Sequence, residues 1–239
     1  MTRNYIYILG TYILMQLSSY PLLLVLEIAD VNEDYFGTIG IAWTVFSFLA
    51  ALLIILLLLK PEKNLRKDPE AASNGMVIIW SLIGLILAFI GQGVINYLQT
   101  TFLGVSPDSE NTQNIIEIAR AAPIFIIVVA VIGPILEEIV FRKIIFGSIY
   151  KRTNFFIGAL ASGLIFAVVH NDFPHILTYL TIGFVFAFIY VQSKRIIVPI
   201  IAHASMNTMV VIAQLSISPE ELEKMLEQYE KLQMIVIGG

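Results

Sequence analysis

Two adjacent carboxylates, Glu137 and Glu138, sit inside an apolar run, Ile132-Gly133-Pro134-Ile135-Leu136-Glu137-Glu138-Ile139-Val140-Phe141. An ionised carboxylate near the centre of a bilayer costs roughly 2.5–3.5 kcal/mol, so each needs a compensating partner. Arg142 follows Glu138 by four residues and shares its helix face. Glu137 points about 100° away on the same helix and does not share that partner. It is therefore the candidate for chemistry. Two more polar clusters follow in apolar segments: Phe166 with His170, and His203 with Asn207, each pair four residues apart. One carboxylate, two imidazoles and a carboxamide can together activate water and bind an oxyanion. Each cluster alone has a structural reading: a Glu–Arg packing lock, a histidine at a helix end, a His/Asn bond between helices. Their co-occurrence at membrane depth favours the chemical one.

The elements that must position these groups are membrane helices. Hydrophobic residues make up 58% of the 239-residue chain and charged residues 13%, against about 25% charged in soluble domains. Mean hydropathy is +0.84. The fold class expected is all-α, a polytopic membrane bundle of about seven transmembrane helices. Hydropathy places them at Tyr5–Leu26, Phe36–Leu59, Met76–Leu98, Ala121–Phe146, Phe155–His170, Pro174–Val191 and Ile196–Leu215. The fifth is short, which suits a helix ending at a wet site. Gly133-Pro134 predicts a kink or a new helical segment just before the glutamates. The chain then divides into an N-terminal region of three spans (1–120), a core of four spans (121–215) and an acidic tail (216–239), where Ser218 and Pro219 suit a helix start. A basic loop, Lys60–Asn74, and an acidic loop, Gln99–Arg120, are the main soluble pieces.

Charge asymmetry orients the bundle. Arg3, Lys60, Lys63, Arg66, Lys67, Lys143, Lys151, Arg152, Lys194 and Arg195 fall on one side, which is then cytoplasmic with the N-terminus. Glu27, Asp30, Glu33, Asp34, Asp108, Glu110, Glu117 and Asp172 fall on the other, with the C-terminal tail. Arg3 precedes a long apolar segment with no small-residue cleavage site, so that segment reads as a first span and not a cleaved signal. Cysteine is absent, which excludes a thiolate nucleophile and disulfides. The bilayer is the expected surrounding, and nucleic acid is not an expected partner.

The three clusters, in this order, resemble the signature of the CPBP (ABI/CAAX) family of intramembrane proteases. That family includes type II CAAX prenyl endopeptidases and bacterial bacteriocin-processing or self-immunity proteins. The matching residues are Glu137, Glu138 and Arg142 (E-E-x-x-x-R), Phe166 and His170 (F-x-x-x-H), and His203 and Asn207 (H-x-x-x-N). The resemblance covers about Ala121 to Leu215. It implies a membrane endopeptidase in which Glu137 is the general base, His170 positions the water, and His203 and Asn207 stabilise the oxyanion. Glu138 and Arg142 would be a supporting pair, with Phe166 packed on His170. Family members are often named metalloproteases. Glu137, His170 and His203 could form a His₂Glu set for a divalent metal such as zinc. A metal-free, glutamate-dependent route is the other implied possibility.

Compactness points to a bacterial cell membrane, where a hydrophobic peptide or membrane-protein tail is a better substrate than a prenylated protein. Peptide maturation and self-immunity to a bacteriocin follow from the family alone. Two other classes fit an intramembrane carboxylate: a proton-coupled transporter, and a catalytically silent scaffold that regulates a membrane partner. His175 reads as a turn or interfacial residue, and Asp172 as a possible support for the site.

Overall fold

The computed structural model describes residues 3–61, 68–107 and 109–217. The expected helix start at Ser218 and Pro219 lies outside the described residues. Helices carry the chain: α1 (Arg3–Leu17), α2 (Ser19–Ile28), α3 (Phe36–Leu59), α4 (Asn74–Leu103), α5 (Glu110–Ala121), α6 (125–150), α7 (Phe155–Val169), α8 (Ile176–Ser193) and α9 (Ile197–Ser216). Their outer faces remain strongly apolar, with Leu14, Ile28, Phe102 and Phe156 each more than 70% exposed. Apolar surface on that scale belongs against lipid. The all-α polytopic membrane bundle expected from composition is the fold.

Five of the seven expected spans are helices long and apolar enough to cross a membrane: Arg3–Ile28, Glu33–Leu59, Asn74–Leu103, Phe173–Ser193 and Ile197–Ser216. The other two are built differently. Helix α7 has 15 residues, about 22 Å at 1.5 Å per residue, against a hydrocarbon core of about 30 Å. Helix α6 is continuous but alternates, with π-helix at Val128–Ile132 and Glu138–Phe146 and α-helix between them at Gly133–Glu137.

Proline placement explains the departures from the expected boundaries. Pro21 lacks the N–H that would bond Leu17, so the first span breaks at Ser18 between α1 and α2. Ala122 is extended (φ −140°, ψ 89°) because Pro123 disfavours the helical conformation before it. The fourth span therefore starts at Phe125 and not at Ala121, whose residue closes α5. Pro134 does mark a new segment. Just ahead of it the Gly133 N–H donates to the Val128 carbonyl, five residues back, in the π pattern.

The acidic loop is not wholly irregular. Its second half forms α5, capped by the Ser109 hydroxyl, which accepts from the Thr112 N–H at 3.2 Å. Its buried face carries Ile116 and Ala119. Helix α4 packs against α8 and α9, and α7 against α8. At the α7–α8 crossing, a Cβ on Gly183 would lie 3.1 Å from Gly163 Cα, so the two backbones approach as only small residues allow.

Candidate active site

Helices α6, α7 and α9 bring the three polar clusters to one cavity of about 880 Å³. Glu137, Phe166, His170, His203 and Asn207 all line it. It runs toward the end of the bundle that carries α5 and the 171–175 turn, since Pro107, Ser109, Asn111 and His175 line it too.

The adjacent glutamates occupy different environments. Glu138 is fully buried and pairs with Arg142, also fully buried, at 3.1 Å between Oε2 and Nε. The contact is ionic and not a well-aligned hydrogen bond. Arg142 spreads its remaining charge over aromatic faces, 4.4 Å from the Phe166 ring centre and 5.5 Å from that of Phe186. Glu137 keeps 19% of its side chain exposed and reaches the cavity.

His203 joins the two carboxylates. Its Nδ1 donates to Glu138 Oε1 at 2.8 Å, and its Nε2 faces Glu137 Oε2 at 3.7 Å. A carboxylate only accepts, so the Glu138 bond places a proton on Nδ1 and turns Nε2 to the cavity. His170 is fixed by the same logic. Its Nδ1 lies 2.7 Å from the Phe166 carbonyl, one turn back on α7. That carbonyl only accepts, which leaves Nε2 as the free ring nitrogen. Asn207 spends one amide N–H on the Val129 carbonyl at 3.1 Å, where the π stretch of α6 passes.

Phe166 is the hub of these contacts. Its ring lies 4.4 Å from the His170 ring, 5.2 Å from Phe141 and 6.1 Å from His203, and it is 1% exposed. One buried aromatic thus touches the histidines of α7 and α9 and the arginine of α6.

Several contributors have no local signal in the sequence. The Tyr179 ring lies 4.3 Å from His170 at a 30° tilt, and its hydroxyl accepts from Asn111 Nδ2 at 3.2 Å. Ser109 donates to Asp172 Oδ2 at 2.6 Å. His175 lies in the turn between α7 and α8, as expected, and is buried there. It bonds Asp172 Oδ1 and the Ser106 carbonyl, each at 2.9 Å. Asp172 and His175 thereby pin the start of α5 beside the site. The Asn111–Tyr179, Ser109–Asp172 and Ser106–His175 bonds span 68, 63 and 69 residues, whereas the Asp172–His175 and His170–Tyr179 contacts are local.

Among the described residues, no three His, Cys, Asp or Glu side chains are gathered closely enough to hold a metal ion. Glu137, His170 and His203 share the cavity but not a metal's coordination sphere. The His₂Glu arrangement does not fit this geometry.

A cavity-facing carboxylate and two imidazoles inside a multi-span bundle are groups able to activate water within a membrane. The chain belongs to the type II CAAX prenyl endopeptidase Rce1-like family, whose pattern matches residues 119–209. It is 42% identical to the putative membrane peptidase YdiL of Bacillus subtilis (strain 168), over all of this chain and 99% of that one. It is 39% identical to the membrane-embedded CAAX protease MroQ of Staphylococcus aureus (strain USA300), over 95% of this chain and 96% of that one. A shorter stretch of 81 residues is 37% identical to the UPF0177 protein YxdF of Lactococcus lactis, covering 34% of this chain and 44% of that one. No solved structure matches the chain.

Proposed function

We propose that this protein is an intramembrane endopeptidase that hydrolyses a peptide bond in a hydrophobic peptide or membrane-protein substrate. The observation that carries this reading is the split between the two glutamates. Glu138 is buried against Arg142 and His203, while its neighbour Glu137 turns its carboxylate to the cavity beside His203. The kinship with YdiL and MroQ, nearly end to end, supports the same activity.

The groups at the cavity suit hydrolysis by activated water. Glu137 takes a proton from water, whose oxygen attacks the scissile carbonyl carbon. His170 Nε2 accepts a hydrogen bond from that water and orients it. The carbonyl oxygen becomes an oxyanion, which the second Asn207 N–H stabilises, joined by His203 when its Nε2 also carries a proton. The carbon–nitrogen bond then breaks, and Glu137 returns its proton to the leaving amine.

The charge bias of the loops supports an orientation with α5 and the cavity mouth on the outer, acidic side, the side from which substrate would enter. A bacterial cell membrane, with substrates in peptide maturation or bacteriocin self-immunity, fits this placement. Hydrolysis of a reporter peptide in ¹⁸O-labelled water tests the reaction. One ¹⁸O atom in the new carboxyl group after single turnover is expected. Cleavage without incorporation contradicts direct attack by water.

A further inference from the structure

The cavity holds more carboxamides than the catalytic chemistry uses. Besides Asn207, its walls carry Gln16, Gln92, Asn96, Asn111, Gln113 and Gln214, drawn from α1, α4, α5 and α9. Gln92 and Asn96 are one turn apart on α4 and share a face. The side chains of Gln92, Gln113 and Gln214 make no hydrogen bond to any described residue. The other three are only half-satisfied. Asn96 accepts from the Thr178 hydroxyl at 2.5 Å and keeps its N–H₂ free. Asn111 donates to Tyr179, and Gln16 donates to the Tyr12 hydroxyl at 3.1 Å, so both keep a free carbonyl oxygen. Beside them, a Cβ added at Gly93 would meet nothing within 4 Å, so the wall there borders open space.

Gln92 and Asn96 sit half-buried on the membrane-spanning helix α4, where an unsatisfied carboxamide is costly. A lipid tail would leave every one of them unpaired. An extended peptide would not, because each of its units offers one N–H and one C=O. The free groups on the wall are likewise a mixture of donors and acceptors. The cavity lies near the upper end of ordinary ligand clefts, about 300–1,000 Å³, which gives room for a short segment of chain.

We propose that the carboxamides centred on Gln92 and Asn96 form a subsite that binds the main chain of an extended peptide. Substrate recognition is then tolerant of side-chain sequence. The inference rests on the peptidase reading of the same cavity.

The test is binding, measured in nanodiscs with Glu137→Gln protein so that nothing is cleaved. The probes are a fluorescein-labelled peptide of alternating Ala and Leu, and the same peptide with alternate main-chain nitrogens methylated. The parent peptide is expected to bind at least about five-fold tighter, the worth of one or two net hydrogen bonds. Gln92→Met or Gln113→Met breaks no bond within the fold. Each is expected to weaken the parent by about five-fold while leaving the methylated peptide unchanged. Equal binding of the two probes, binding of neither, or unaltered selectivity in both variants overturns the proposal. Selective binding with no hydrolysis by the wild type would sink the peptidase reading and leave this one standing. Hydrolysis without selective binding does the reverse.

Discussion

His203 reaches across from α9 to donate from Nδ1 to Glu138 Oε1 at 2.8 Å. Because Glu138 also holds Arg142 at 3.1 Å, one buried carboxylate fixes both the arginine of α6 and the imidazole of α9. The neighbouring Glu137 is left to the cavity. Two consecutive carboxylates thus sit in different surroundings, one locked in the core and one facing the cavity.

Opposite phenotypes are expected from them. Glu138→Ala leaves Arg142 buried without its counter-charge, which typically costs about 3–5 kcal/mol. Thermal unfolding in detergent should show a large fall in midpoint. Glu137→Gln is partly exposed and isosteric, so its stability should stay within about 0.5 kcal/mol of wild type. Equal stability losses would contradict this division of roles.

Asn207 has one amide N–H committed to Val129 and one to spare. Asn207→Ala should lower kcat by about 10²–10³, the usual loss for one oxyanion donor. KM should stay within about two-fold, since that bond forms chiefly in the transition state. A change confined to KM would assign Asn207 to ground-state binding.

Tyr179 stacks on His170 and is anchored to α5 through Asn111. The chain has three histidines, so ¹³C-histidine labelling gives a spectrum simple enough to assign. Tyr179→Leu should shift the His170 ring signal and lower kcat by about ten-fold with KM little changed, as expected when a reacting group loses alignment. Tyr179→Phe keeps the stack and should retain most activity. An unmoved His170 signal in Tyr179→Leu would show that the stack does not position the imidazole.

What the sequence makes legible is governed by distance along the chain. The Glu138–Arg142 pair, the shared face of His203 and Asn207, and the contact of Phe166 with His170 each span four residues, so helical periodicity alone predicts them. The break at Pro134 is equally local. The bridge from His203 to Glu138 spans 65 residues and the bond from Asn111 to Tyr179 spans 68. Neither has a local signature. Helix α5 escapes a hydropathy reading because its apolar face is narrow and its other face polar, although Ser109 is a cap signal at its start. The π stretches of α6 depart from the uniform 3.6-residue turn on which a reading of helical periodicity rests.

Side chains at the site do not close around a metal. Peptide cleavage should therefore persist after exhaustive treatment with a chelator, at a rate within about two-fold of untreated enzyme. Loss of activity on chelation, restored by zinc, would show that Glu137, His170 and His203 rearrange to bind a metal.

The most direct measurement is cleavage of a hydrophobic peptide library by purified wild type and by Glu137→Gln at matched thermal stability. Products from the wild type, and a rate at least about 10³-fold lower from Glu137→Gln, are the expected result for loss of the group that activates water. Equal product formation by the two proteins would contradict the assignment of Glu137 as the base.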